Sequence, residues 1–140
     1  MIEKSWKQIQ GELFRLSYKR AKRAISSGFY LEAVSLSESL ILNRIEVVLR
    51  NSAGVSYERF SVGRALNGIE SHKIPLFDEG LLQETKIWVQ SRNFLSHHFA
   101  RVEGDFKLTW RARLSESKST AIQGLFLANR WSRESRKHKQ

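Results

Sequence analysis

A chain of 140 residues with 24 Lys plus Arg, 14 Asp plus Glu and no cysteine has room for one domain with its own core. It excludes disulfide staples and thiolate zinc sites. No run of about 18 apolar residues offers a membrane span, and the polar opening MIEKSWKQIQ is unlike a signal peptide, so a cytoplasmic protein is expected. The net charge of +10 predicts a polyanionic partner, since a surplus of that size governs association rather than fold.

Proline occurs once, at Pro75, so long helices can run unbroken. In the first segment Ile2, Trp6, Ile9, Leu13 and Leu16 recur at steps of 4, 3, 4 and 3, the pattern of a helix with one apolar face. Lys19, Arg20, Lys22 and Arg23 close it, where cations suit the negative end of the helix dipole, and Ser26-Ser27-Gly28 supplies a stop. A second helix follows, with Tyr30, Val34, Ile41, Ile45 and Val48 on one face. The short link predicts antiparallel packing of the two. Asn51 to Ser61 reads as a loop, VGRALNGIE as a short helix, and SHKIPLF as an extended turn around Pro75. Asp78 is the expected N-cap of a third long helix, whose stripe is Leu81, Thr85, Trp88, Arg92, Leu95 and Phe99. Alternating Phe106, Leu108 and Trp110 predict a short extended arm or small hairpin. A last helix begins near Ser115, carries Ala121, Ile122, Leu125 and Ala128, and frays into a basic tail. The expected organisation is all-α, a four- to five-helix bundle over 1–130 with a tail at 131–140.

One residue breaks the apolar pattern. At about 100° per residue, Arg92 lies at the centre of the third long helix's stripe, with Asn93 and His97 together on one flank and Ser96 between. A buried guanidinium without a partner is costly. Arg92 must therefore pair with an acid such as Glu38 or Glu46 of the second helix, reach out at the edge of the fold, or line a cleft that receives an external anion. The adjacent histidine favours the third reading. Arginine grips phosphate oxygens through paired hydrogen bonds, and imidazole moves protons near neutral pH.

RNFLSH, Arg92 to His97, resembles the catalytic motif of the HEPN superfamily: an arginine, a polar residue that is often asparagine, and a histidine four to six places after the arginine. FYLEAVSLSESLILNRIEVVLR resembles the amphipathic helix that such domains place early, and the element order agrees. The resemblance implies a HEPN-like bundle that forms a symmetric homodimer, with the motif helices meeting at the two-fold. It implies a metal-independent endoribonuclease of toxin–antitoxin or phage-defence systems, with no cofactor and no metal, and with an antitoxin or other regulatory protein among its partners. The alternative is a non-catalytic module that binds RNA, nucleotide or protein. Val89 and Phe94 would suit the dimer interface.

Carried onto this chain, His97 is the general base or acid, Arg92 steadies the phosphorane, and Asn93 orients His97 or the phosphate. Ser96 and His98 are accessory. Attack by the ribose 2′-OH restricts cleavage to RNA. Lys19, Arg20, Lys22 and Arg23, and the tail residues Arg130, Arg133, Arg136 and Lys137, are expected to hold the RNA backbone. Trp110 and Trp131 are candidates for stacking on bases. A helix-turn-helix in NSAGVSYERFSVGRALN, read by Arg59 and Arg64, is the weaker alternative.

Overall fold

The computed structural model describes residues 5–55, 61–99, 101 and 104–138. Among them all regular structure is helical: α1 (Trp6–Ser26), α2 (Tyr30–Ala53), α3 (Val62–Ser71), α4 (Leu81–His98) and α5 (Phe106–Arg136). This is the all-α bundle that the periodicities imply. Ile2, Arg59 and Lys139 lie outside the described residues, as do 56–60 of the expected 51–61 loop, whose first three residues, Asn51 to Ala53, are instead the last of α2.

Ser5 starts α1 with a capping box: its hydroxyl accepts from the Gln8 backbone N–H while Gln8 Oε1 accepts from the Ser5 N–H. Gly28, at φ +81°, makes the turn into α2. Gly54 closes α2 in the left-handed conformation at φ +65°, where a Cβ would be strained. Arg20 donates to Glu32 at 2.9 Å, and the Arg44 guanidinium sits 4.3 Å from the centre of the Phe14 ring. The two helices therefore run antiparallel. α2 is the central element and packs against α1, α3 and α5. Its eight buried residues, Ala33 through Leu49, form the middle of the core.

α5 runs parallel to α2, with Gly124 opposite Ser37 and His138 opposite Ser52. Its buried residues include the small or polar Ser117, Thr120, Ala121, Gly124 and Ala128 beside Leu125, Leu127 and Trp131, and the missing side chain at Gly124 lets the two backbones approach closely. α4 lies antiparallel on α5. The Trp88 indole N–H donates to the Thr120 carbonyl at 2.8 Å, and the Trp131 N–H donates to Thr85 Oγ1 at 2.9 Å. Both bonds are buried, so each indole meets its polar requirement inside the core.

Four expectations are corrected. The stripe of α1 does not face the core. Trp6, Leu13 and Leu16 are more than half exposed, and α1 instead packs through Phe14, Tyr18, Ala21, Ala24 and Ile25. Asp78 is not the N-cap of α4: Gly80 is, because the Asp78 carboxylate is taken by Arg130. The extended arm is helix. Asp105 caps α5 by accepting from the Leu108 N–H, so the alternation of Leu108 and Trp110 carries no strand. There is also no separate tail at 131. α5 continues to Arg136, with Trp131, Ser132, Glu134, Ser135 and His138 buried. Glu134 explains why this end stays packed. Its carboxylate accepts the backbone N–H groups of Phe77 and Asp78 at 3.0 and 2.8 Å and meets His138 Nε2 at 2.6 Å, while His138 Nδ1 meets Ser52 Oγ at 2.8 Å.

A Cβ at Gly124 would lie 2.8 Å from Ser37 Cβ and 2.9 Å from Trp88 Cζ2. Gly124→Ala is expected to destabilise the fold by about 1–3 kcal/mol through overpacking, read as a lowered urea midpoint with an unchanged slope.

Candidate functional site

Rotation of α4 decides what its polar residues can do. Leu81, Thr85, Trp88 and Leu95 are buried, as expected for the stripe. Arg92, on the same face, stands where α4 has passed the core. Its side chain is 34% exposed and reaches α2, where Nε forms an ion pair with Glu38 Oε2, itself on a side chain 25% exposed. The contact is an ion pair and not an aligned hydrogen bond. Of the three fates weighed for this arginine, the structure combines the first two: an acid of α2 and a position at the edge of the fold. Arg92 Nη1 also donates to Asn93 Oδ1 at 3.3 Å.

Asn93, Ser96 and His97 are exposed, so the motif residues share one solvent-facing edge of α4. The His98 side chain lies outside what the structure describes. Glu38 is the addition that the motif alone does not contain. It was one of two acids on α2 within reach on sequence grounds, and geometry selects it. Val89 is half-buried against the core and Phe94 is exposed.

Two clefts flank this edge. On the other side of α4, an open groove of about 620 Å³ runs between α4 and α5, lined by Ser91, Phe94 and Leu95 and by Ser115, Ser119 and Thr120. Beyond the C-terminal end of α4, a smaller cleft of about 340 Å³ is lined by Phe29, Tyr30, Phe99, Trp110 and Leu114. Trp110 meets Phe99 edge-on at 5.6 Å and is 46% exposed. Trp131 is fully buried, which removes it as a base-stacking residue.

The basic residues expected to hold RNA fall, Arg130 apart, into two groups. Lys19, Arg20, Lys22 and Arg23 are exposed at the end of α1, beside the start of α2 through the Arg20–Glu32 pair. Arg133, Arg136 and Lys137 are exposed at the end of α5, beside the end of α2 through His138 and Ser52. Glu32 and Ser52 are twenty residues apart on one helix, about 30 Å at 1.5 Å per residue. Glu38 is only about 9 Å along the axis from Glu32. The α1 cluster therefore shares an end of the bundle with Arg92, and the α5 cluster stands at the other.

Arg130 belongs to neither group. It donates from Nε and Nη2 to Asp78 at 2.9 Å each, meets Glu84 at 2.6 Å, and is only 11% exposed. It is a structural clamp, and its assignment as an RNA ligand is withdrawn. The hydrogen bond from Arg130 holds the Asp78 carboxyl below its usual range, against the opposing effect of burial. Near the same end, burial and then the charge of Arg136 lower the pKa of Arg44, whose Nε is buried without a hydrogen-bond partner among the described residues. Among the described residues, no group of three or more His, Asp or Glu side chains could hold a metal ion.

Compared with family models, with curated proteins and with solved structures, the chain matches none.

Two measurements check this geometry. A double-mutant cycle of Arg92→Met and Glu38→Gln is expected to give a coupling of about 1 kcal/mol in unfolding free energy, modest because both groups are partly solvated. A coupling near zero would mean that the pair does not form. The depressed Asp78 contributes stability that is present above the unfolded carboxyl pKa of about 3.9 and is lost as pH falls through its lower folded value. Asp78→Asn should therefore be less stable than the parent at pH 7, and the gap in urea midpoint should narrow as pH falls below about 4.

Proposed function

We propose that this protein is a metal-independent endoribonuclease whose site is the α4 edge carrying Arg92, Asn93 and His97, used in a symmetric dimer. One observation carries the reading: Arg92 is held by Glu38 at the rim of the fold, five residues before an exposed His97 on the same helix. Glu38 engages Nε and Asn93 engages Nη1, so the guanidinium is preorganised before any ligand arrives. Preorganised donors aimed at developing charge cost no reorganisation at the moment of reaction. The HEPN-like spacing of RNFLSH agrees with this chemistry.

In the proposed reaction the ribose 2′-oxygen attacks the adjacent phosphorus. One His97 accepts the 2′-hydroxyl proton, and the His97 of a second copy gives a proton to the departing 5′-oxygen. The P–O5′ bond breaks as the P–O2′ bond forms, leaving a 2′,3′-cyclic phosphate and a 5′-hydroxyl. Arg92 steadies the additional negative charge on the phosphorane, and Asn93 keeps the guanidinium or imidazole in place. DNA, which lacks the nucleophile, is bound and left intact. Ser96 and His98 are accessory at most.

The surroundings suit RNA. Lys19, Lys22 and Arg23 lie at the same end of α2 as the site and would follow the backbone on either side of the scissile phosphate. The cleft holding Trp110 and Phe99 offers apolar rings on which an unpaired base can stack. Arg133, Arg136 and Lys137 would meet only a longer strand. The α4–α5 groove, with Phe94, Ile122 and Phe126 about half exposed around it and Glu116 in its wall paired with Arg113, suits a self-complementary contact between copies.

A second reading rests on the same ion pair. Glu38 already balances the charge of Arg92, which favours a module that binds RNA or nucleotide without cutting it. The two readings part on one experiment. The protein is incubated with labelled single-stranded RNA in EDTA. The nuclease reading predicts fragments with cyclic-phosphate ends, lost by at least about 100-fold in His97→Ala, within the usual contribution of a general acid or base, while RNA binding and thermal midpoint are unchanged. Undiminished cleavage by His97→Ala removes His97 from catalysis. Binding without cleavage by the parent leaves the second reading.

A further inference from the structure

The exposed face of α1 is the largest departure from what the fold itself requires. Trp6, Ile9, Leu13 and Leu16 are 67, 37, 58 and 57% exposed, although Phe14 and Tyr18 of the same helix pack inward. Isolated apolar side chains at a surface need no explanation, but four in a row on one helix do. Their spacing is informative. Steps of 3, 4 and 3 place them on a line of period 3.5, the seam that one helix presents to another. The seam opens on one side into a cleft of about 280 Å³ between α1 and α2, lined by Trp6, Leu13, Ser39 and Asn43. It continues at the next two positions into Arg20 and Arg23, both exposed.

Charge decides what fits there. α1 carries exposed Lys7, Arg15, Lys19, Arg20, Lys22 and Arg23 against one acid, Glu12. A second copy packed in parallel would set Arg20 and Arg23 against their own duplicates. Packed antiparallel, it would press those guanidinium groups onto Trp6 and Ile9, and Glu32, already engaged by Arg20 at 2.9 Å, offers Arg23 no free carboxylate. Either arrangement desolvates more cations than Glu32 alone can balance, and like charges along a seam are the usual device for excluding a pairing. The α4–α5 groove, whose one charged lining residue, Glu116, is paired with Arg113, carries no such penalty and is the better self-association surface.

We propose that α1 docks an acidic amphipathic helix of a partner polypeptide. Apolar residues of that helix fill the seam from Trp6 to Leu16, and its carboxylates meet Arg20, Arg23 and the flanking lysines. Because Lys19 to Arg23 stands at the same end of α2 as Arg92, an occupied α1 would cover the cations assigned above to the RNA backbone. Docking itself stands on α1 alone and does not depend on cleavage.

The probe is a 28-residue peptide with leucine along one 3.5-period seam and glutamate on both sides of it and at both ends, compared with a twin bearing lysine for glutamate. Binding is measured by anisotropy of the labelled peptide against the full chain, without RNA. The glutamate peptide is expected to bind with micromolar affinity, the lysine twin at least about tenfold more weakly, and Leu13→Glu to lose at least about tenfold. Leu13 is exposed, so its substitution should leave the helical signal and thermal midpoint unaltered. His97→Ala should bind the peptide as the parent does, which separates this proposal from the nuclease reading. Equal binding of the twins, or undiminished binding by Leu13→Glu, would overturn it. So would sedimentation showing that the protein alone is a dimer which Leu13→Glu dissociates, since the seam would then be filled by a second copy.

Discussion

The rotation of α4 about its axis is the constraint on which the candidate site depends. Two buried indole hydrogen bonds fix it. Trp88 reaches across to the Thr120 carbonyl, and Trp131 reaches back to Thr85, whose own hydroxyl donates to the Leu81 carbonyl at 2.7 Å. Thr85 is thus both donor and acceptor inside the core, and the pattern closes only in one register of α4 against α5. A turn of the helix by one residue would leave an indole N–H buried and unpaired, at a cost of about 1–3 kcal/mol. In the observed register Arg92 arrives beside Glu38 of α2, and Asn93 and His97 face outward. A site built on a locked helix holds its geometry better than one on a loop.

α5 supplies the other half of that lock. It approaches α2 closely because Gly124 offers no side chain to Ser37, and it is pinned at its far end by the Glu134 carboxylate, which gathers two backbone N–H groups and His138. Arg130 fastens the entry to α4 by gripping Asp78. Polar residues that composition assigns to a solvated, RNA-binding end are therefore partly spent on the fold. Of the two cation clusters expected to hold RNA, the one on α1 lies at the same end of α2 as Arg92 and the one on α5 at the other.

Much of this was legible in the sequence, and the failures have physical causes. The α2 core face and the Leu81, Thr85, Trp88 and Leu95 stripe follow from period alone. Glu38 was visible as one of two acids on α2 able to answer Arg92. Periodicity misled in α1 because it reports that a helix has an apolar face and says nothing about what covers it. The seam from Trp6 to Leu16 is as regular as a core stripe, yet the bundle uses the smaller residues Ala21 and Ala24 with Phe14 and Tyr18. The end of α5 was obscured by its charge. Leu127, Trp131, Glu134 and His138, at steps of 4, 3 and 4, carry the helical signal through the basic segment, but two of the four are polar and their burial depends on partners far away in sequence. Asp78 had the chemistry of an N-cap and was claimed by a stronger partner, Arg130. No feature of local sequence announces such a competition.

Whether phosphate meets Arg92 and His97 or only the outlying basic clusters decides what the α4 edge is for. The most direct measurement is an NMR titration with an RNA oligomer whose 2′-hydroxyls are replaced by hydrogen, following the Arg92 Nε–H and His97 imidazole signals. The account predicts that both move together on one saturating curve, with smaller changes at Lys19 to Arg23. Movement confined to residues 19–23 and 133–137, with Arg92 and His97 still, would contradict it.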